Sequence, residues 1–360
     1  MKRPIGRGLF GPVYAAAALS FAYLLLVRFL PSPEPDVRAE MNEASRTMVA
    51  ATAAIRACRE SRGIRIDPGT DPNRTGLIGL ETSPITTSAG RLEAKRTTTN
   101  PNFAALVVSL FHEAGVRRGD AVAVGASSSF PALVIATFSA AKSMGLRPVV
   151  ISSLGASEWG ANIPGFNWTD LEDCLRAAGI LDVRPAARAV GGDEDVGRDM
   201  SPEGRALLES RIRESGVPFI EEPDLERNVE ARMRLYRERA GNRPVKAFVN
   251  IGGSWANMGT NAEVLKLRPG LTDDVFVPPP GERGVLQAMA ARHVPIIHLL
   301  NVKGLCERYG LPWDPRPLPA PGRGGFLNSA AGGGTSSVML SAGYVLLVIM
   351  ILVFGRRRLP

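Results

Sequence analysis

Three segments of this chain collect residue types that can hold an anion or pass a proton. The first is Glu81-Thr82-Ser83-Pro84-Ile85-Thr86-Thr87-Ser88-Ala89-Gly90. The second is Gly125-Ala126-Ser127-Ser128-Ser129-Phe130-Pro131, and the third is Asn250-Ile251-Gly252-Gly253-Ser254-Trp255. Each follows a short apolar run that reads as a strand. Hydroxyls donate and accept hydrogen bonds, and glycines let backbone N–H groups come close to a ligand. The candidate ligand-binding residues are therefore Thr82, Ser83, Thr86, Thr87, Gly125, Ser127, Ser128, Ser129, Gly252, Gly253 and Ser254. Lys95 and Arg96 follow the first segment and add positive charge suited to a carboxylate or phosphate. Gly125 can take a positive φ. Ser127–Ser129 then run into a helix start at Pro131, where free N–H groups and the helix dipole favour an anion. The plainer reading of any one of these serines is a helix cap, the commonest role of serine at that position.

Catalysis from these residues would use Ser127 or Ser128 as nucleophile and Glu81 as base. The known spacings are not met. The nucleophile elbow fails because Ser129 stands where glycine is required. Neither a P-loop nor a G-x-G-x-x-G fingerprint occurs. His112 sits at an apolar helix end and His298 inside an apolar run, so both read as structural, and no Ser–His–Asp set assembles. The 3 His and 3 Cys are scattered, which argues against a metal cage and against a disulfide framework. No cofactor or metal is expected.

These segments need a scaffold that brings them together. From residue 76 onward, short apolar runs alternate with helical stretches. The strands read as Gly76–Leu80, Ala121–Val124, Pro148–Ser152, Val245–Asn250 and Val294–Leu300. Helices read as Asp36–Ser61, Asn102–Ala114, Pro131–Met144, Asp170–Ala178, one opened by Ser201 and Pro202, Asp224–Ala240 and Arg283–Arg292. Pro at a helix start and Gly after its end mark several of them. The arginines around the Asp224–Ala240 helix read as a solvated face. Alternation of this kind predicts an α/β fold with a doubly wound, mostly parallel sheet. Ligands of such sheets bind beyond the carboxyl ends of the strands. Hydrophobic residues make up 45% of the 360, enough for a full core.

The two ends differ from the middle. Pro12–Leu30 is nearly all apolar, with Lys2, Arg3 and Arg7 before it, and Ser337–Phe354 is uncharged, with Arg356, Arg357 and Arg358 after it. Both have about the length a bilayer requires. Basic residues outside both spans put both termini in the cytoplasm and the bulk of the chain outside it. A cleaved signal peptide is the weaker reading of the first span. The tail, with its glycine run, apolar span and arginines, is also similar to cleaved GlyGly-type sorting signals. The organisation expected is an N-terminal tip and anchor at 1–30 and a linker and helix at 31–75. The α/β domain follows at 76–315, then a Pro/Gly-rich linker at 316–336, a second transmembrane helix at 337–354 and a basic tail at 355–360. Net charge is +8, with part of the excess at the termini.

Four blocks carry a resemblance: GLIGLETSPITTSAGRLEAKRTTTNPNFAAL (76–106), GDAVAVGASSSFPALVIA (119–136), FVNIGGSWANMG (248–259) and PIIHLLNVKGLCERYGLPWDP (295–315). The chain resembles the poly-gamma-glutamate system protein family, of PgsW type. The resemblance implies a two-pass cell-membrane protein that accompanies the poly-gamma-glutamate synthase complex, with its membrane proteins and the anionic capsule polymer as partners and no nucleic acid. It carries over no catalytic residues. The leading expectation is an accessory protein that binds the polymer or organises the synthase. The alternative is a hydrolase or transferase acting on the gamma-linked polymer through Ser127–Ser129.

Overall fold

The computed structural model describes residues 10–29, 35–182, 184–322 and 343–351. The chain divides into two units, Met1–Asp36 with Asn328–Pro360, and Val37–Leu327. In the smaller unit, helix α1 (Phe10–Phe29) accompanies a helical stretch at 343–351. Tyr344 stacks on Tyr23 with ring centroids 4.2 Å apart, and its hydroxyl lies 2.7 Å from Ser20 Oγ. Among the described residues no helix is long and apolar enough to cross a membrane. Much of the second apolar stretch, 337–354, lies outside the described residues.

The larger unit begins with α2 (Pro35–Ser61), whose Met41, Ala44, Met48, Ala51 and Ile55 are fully buried. Their three- and four-residue spacing gives one apolar face, as the sequence predicts. Then come α3 (Leu92–Thr98), α4 (Asn102–Glu113), β1 (Ala121–Ser127), α5 (Pro131–Met144) and β2 (Arg147–Ser153). A small hairpin, β3 (Asn162–Ile163) and β4 (Phe166–Asn167), leads into α6 (Trp168–Ala177) and β5 (Ala187–Ala189). Helices α7 (Pro202–Glu214) and α8 (Leu225–Ala240) precede β6 (Val245–Ile251), and α9 (Trp255–Met258), β7 (Gly270–Thr272), α10 (Val285–Ala290), β8 (Ile296–Leu299) and α11 (Val302–Tyr309) close the unit.

The sheet order is β5-β2-β1-β6-β8-β7, parallel except for β7, which runs antiparallel at the edge. β1 pairs with both β2 and β6, so the chain leaves it first to one side and later to the other. This is the doubly wound arrangement, with its switch point between β1 and β6. The expected α/β class is met. Every residue of β1 is buried, as a strand covered on both faces must be. One face carries Ala123, Ile151, Phe248 and Ile296 against Val229, Met233 and Tyr236 of α8. The α5 residues lie outside that cluster and pack on β1 and β2, while α4 packs beside α5 and reaches β7.

Several expectations are corrected. Gly76–Leu80 is not a strand. Side chains satisfy much of its backbone instead: Arg59 donates to the carbonyls of Gly76 and Ile78, and Asn162 exchanges two hydrogen bonds with Leu80, while Gly79 and Leu80 also bond the Trp159 backbone. Arg232 does not join the solvated face of α8. It is fully buried and pairs with Asp195, while Arg227, Arg234, Arg237 and Arg239 are exposed. Scattered cysteines do not exclude a bridge: Cys58 of α2 and Cys174 of α6 are disulfide-bonded across 116 residues, and Cys306 is free and buried. A loop that long gives the bridge much of its stabilising effect through the unfolded chain. Replacing Cys58 and Cys174 together by serine should lower the unfolding free energy by about 2–5 kcal/mol in denaturant titration. An unchanged midpoint would mean that the bridge is not formed in the folded protein.

Candidate functional site

A cleft of about 980 Å³ opens at the carboxyl ends of the parallel strands. All three segments singled out in the sequence reach it, through Thr87, Ser88 and Gly90, through Ser127 and Ser129, and through Gly253 and Ser254. Its place follows from topology. Loops after β1 and β6 depart to opposite sides of the switch point and leave a crevice between them.

The serine that ends β1 and the two that follow it do not cap α5. Its N-cap is Phe130, without a side-chain cap. Ser127 Oγ instead accepts the Ser129 N–H at 3.2 Å. Ser128 donates through both its N–H and its hydroxyl to the Ser153 carbonyl, across to the end of β2. Ser129 Oγ accepts the Ser157 N–H at 3.0 Å. The serines thus tie the β1 loop to the loop after β2. Gly125 is needed for a close approach and not for a left-handed backbone: a Cβ there would lie 2.4 Å from the Asn257 amide nitrogen. Gly252 does have positive φ, at +79°.

The first segment does not leave a strand, yet it is firmly placed. Thr87 N–H donates to the Ala156 carbonyl at 3.0 Å, and Glu158 N–H to the Ser88 carbonyl at 2.9 Å. Gly90 N–H donates to the Glu158 carboxylate at 2.8 Å. Thr82, Ser83 and Thr86 stand away from the cleft. Thr82 and Glu81 are exposed, and Ser83 and Thr86 bond each other and Asn162. Ser128, Gly125 and Gly252 lie behind the cleft wall and do not line it.

Lys95 and Arg96 have separate fates. Arg96 makes a two-pronged pair with Asp314 at 2.7 Å, which raises its pKa and takes it out of the cleft. Lys95 lines the cleft yet is only 3% exposed. Its amine contacts the Ser129 carbonyl, lies 2.7 Å from Ser157 Oγ and sits 3.9 Å from the Phe130 ring centroid. Burial pushes its pKa down to about 7, against the opposing pull of Glu158. The cationic groups at the rim are Arg91 and Lys303, both exposed.

Two features escape the sequence reading. One is Ser157, a single serine in the GASEWG turn after β2. Its only signal is a run of small residues following a parallel strand. The other is the loop Val190–Met200, which adds Asp193 and Asp199 to the cleft. It turns through positive φ at Gly191, Gly192, Glu194, Asp195 and Gly197. Such strain needs an anchor. Asp195 supplies it, accepting from Arg232, Asn228 and Ser153 in the core. Burial raises the Asp199 pKa. His298 is buried with its Nδ1 3.1 Å from the Asn250 amide, and burial holds it neutral with a pKa of about 4, as a core histidine. His112 pairs with Glu40 at 2.6 Å. Among the described residues no group of three or more His, Cys, Asp or Glu could hold a metal ion.

No protein-family model, curated protein or solved structure matches this chain.

The buried amine has a measurable consequence. Unfolded, Lys95 titrates near its ordinary 10.5, and folded it titrates near 7. Between these values the unfolded chain holds a proton that the folded chain lacks. Raising the pH therefore favours folding, by a slope approaching about 1.4 kcal/mol per pH unit from this group. The stability difference between wild type and Lys95→Met should thus rise from pH 7 to pH 9 in denaturant titrations. A difference independent of pH would show that the amine stays charged.

Proposed function

We propose that this chain is a membrane-anchored envelope protein whose α/β unit holds a carboxylate-bearing chain in the cleft at the switch point, as an accessory component of poly-gamma-glutamate synthesis or export. The observation that carries this reading is the convergence of three hydroxyl- and glycine-rich loops at that one cleft. Small polar groups and close backbone suit a polar chain better than an apolar ligand. Arg91 and Lys303 supply exposed positive charge for its carboxylates, on a lining that also carries the exposed Asp193 and Asp199. They replace the Lys95–Arg96 pair in that role, since Arg96 is committed to Asp314.

The apolar ends and the family resemblance of the four sequence blocks support the envelope setting. The Cys58–Cys174 disulfide supports it too, because such bonds persist in oxidising compartments. The four blocks also lie where they count for the site: residues from each line the cleft.

A short gamma-glutamate oligomer should bind the full-length protein in calorimetry, more weakly as salt is raised, because exposed charges are screened over about 8–10 Å. Arg91→Ala with Lys303→Ala should weaken it by about 1 kcal/mol. Affinity unchanged by salt and by both substitutions would remove the electrostatic part of the proposal. For topology, alkaline phosphatase fused after Arg316 should be active and fused after Pro360 inactive. The reverse pattern would overturn the two-anchor arrangement.

A further inference from the structure

We propose that Ser157 and Lys95 form a nucleophile–base pair, and that the cleft cleaves an amide or ester bond in the polar chain it binds. This rests on the cleft being the binding site, as argued above.

The first ground is geometry. Lys95 Nζ lies 2.7 Å from Ser157 Oγ, and both residues line the cleft. The distance is hydrogen-bond reach, as a nucleophile and its base require. Ser128 donates its hydroxyl to the Ser153 carbonyl, Ser127 and Ser129 accept backbone N–H groups through theirs, and none of the three hydroxyls is bonded to Lys95. The nucleophile is thus Ser157 and not a member of the triple-serine run.

The second ground is the company Lys95 keeps. Its neighbour Arg96 has a carboxylate partner, as do the buried Arg188 and Arg232. Lys95 touches a carbonyl, a hydroxyl and an aromatic face, and the nearby Glu158 carboxylate, which pulls its pKa upward, is bonded to the Gly90 N–H. As an ammonium it donates to Ser129 O and Ser157 Oγ and lies over the Phe130 ring. Once neutral, its lone pair can accept the Ser157 proton across the same 2.7 Å. Burial independently favours this form, and a pKa of about 7 leaves a large neutral fraction at physiological pH.

The third ground is the turn that presents Ser157. Ser157 N–H is held by Ser129 Oγ and Glu158 N–H by the Ser88 carbonyl. Trp159, two residues on, has φ of +63°, which a bulky residue adopts only under constraint. Strain next to a cleft-facing hydroxyl is a mark of a functional turn.

The chemistry balances with water alone. Ser157 Oγ attacks the carbonyl carbon while Lys95 takes its proton. The tetrahedral intermediate collapses, its C–N or C–O bond breaks, and the Lys95 ammonium protonates the leaving amine or alcohol. That leaves an ester on Ser157 and a neutral lysine. Water, deprotonated by Lys95, then attacks the ester. The acid departs as the lysine returns the proton to Ser157.

The test uses the full-length protein in detergent and a fluorophosphonate probe, read by intact mass and peptide mapping. One adduct is expected, on Ser157, forming faster as pH rises with a midpoint near 7. Ser157→Ala should take none, and Lys95→Met should slow labelling by about 100-fold or more. The pH profile of the wild type stands even where Lys95→Met fails to fold. A protein that binds the gamma-glutamate oligomer but leaves Ser157 unlabelled, or labels it at a pH-independent rate, overturns the catalytic pair and leaves the binding function standing. Failure of both binding and labelling overturns the cleft reading, and this proposal with it.

Discussion

The site depends on one topological constraint. β1 lies at the centre of the sheet, hydrogen-bonded to β2 on one side and β6 on the other. A parallel connection must cross over one face of the sheet, and its hand is fixed. The excursion from β1 to β2 and the later one that ends in β6 therefore lie on opposite faces. Their loops separate at the carboxyl ends, and the gap between them is the cleft. The buried strand sequence AVAVGAS makes this possible, since its small and β-branched residues tolerate cover on both faces. Gly125 has a further role at the strand end, where it admits the Asn257 side chain behind the cleft wall.

Around that gap the chain solves a problem of buried charge in two ways. Arg232 with Asp195, Arg188 with Glu172 and Arg96 with Asp314 are buried or largely buried ion pairs. Two of them position segments of the cleft, Asp195 the strained loop after β5 and Asp314 the segment after α11, while Glu172 ties α6 to Arg188 of β5. Breaking such a pair costs several kcal/mol, because it strands a charge. Lys95 is handled differently. It meets only hydroxyl, carbonyl and aromatic groups, so loss of hydration falls on the ammonium without a contacting counter-charge. The same amine ties α3 to the loops after β1 and β2. Structural placement and lowered basicity thus arise from a single contact set.

Much of the scaffold was legible from local pattern. The helix Pro131–Met144 was readable to the residue, because Pro131 opens it and Gly145 closes it in the left-handed region. The runs before and after it were recognisable strands because of their apolar centres, Val122–Val124 and Val149–Ile151. Convergence of the β1 and β6 loops was legible once the sheet class was inferred; the first segment joins them for another reason, since the run before it is not a strand and its place is set by bonds to Ala156 and Glu158. What failed was information held in distant partners. Gly76–Leu80 has the composition of a strand, but much of its backbone is satisfied by Arg59 and Asn162. Arg96 reads like a ligand contact until Asp314, more than two hundred residues on, claims it. Ser157 carries no motif, and only the fold brings it to Lys95. The Cys58–Cys174 bridge joins two helices whose proximity no spacing rule announces.

The central claim is that the segment Thr87–Gly90 and the loops after β1, β2 and β6 form a single binding cleft. Hydrogen exchange of the full-length protein, with and without a gamma-glutamate oligomer, tests this most directly. The account predicts added protection in 87–95, 127–130, 153–160 and 252–255 together, with the rest of the sheet unchanged because it is already buried. Protection confined to some other surface, or to only one of these stretches, would contradict it.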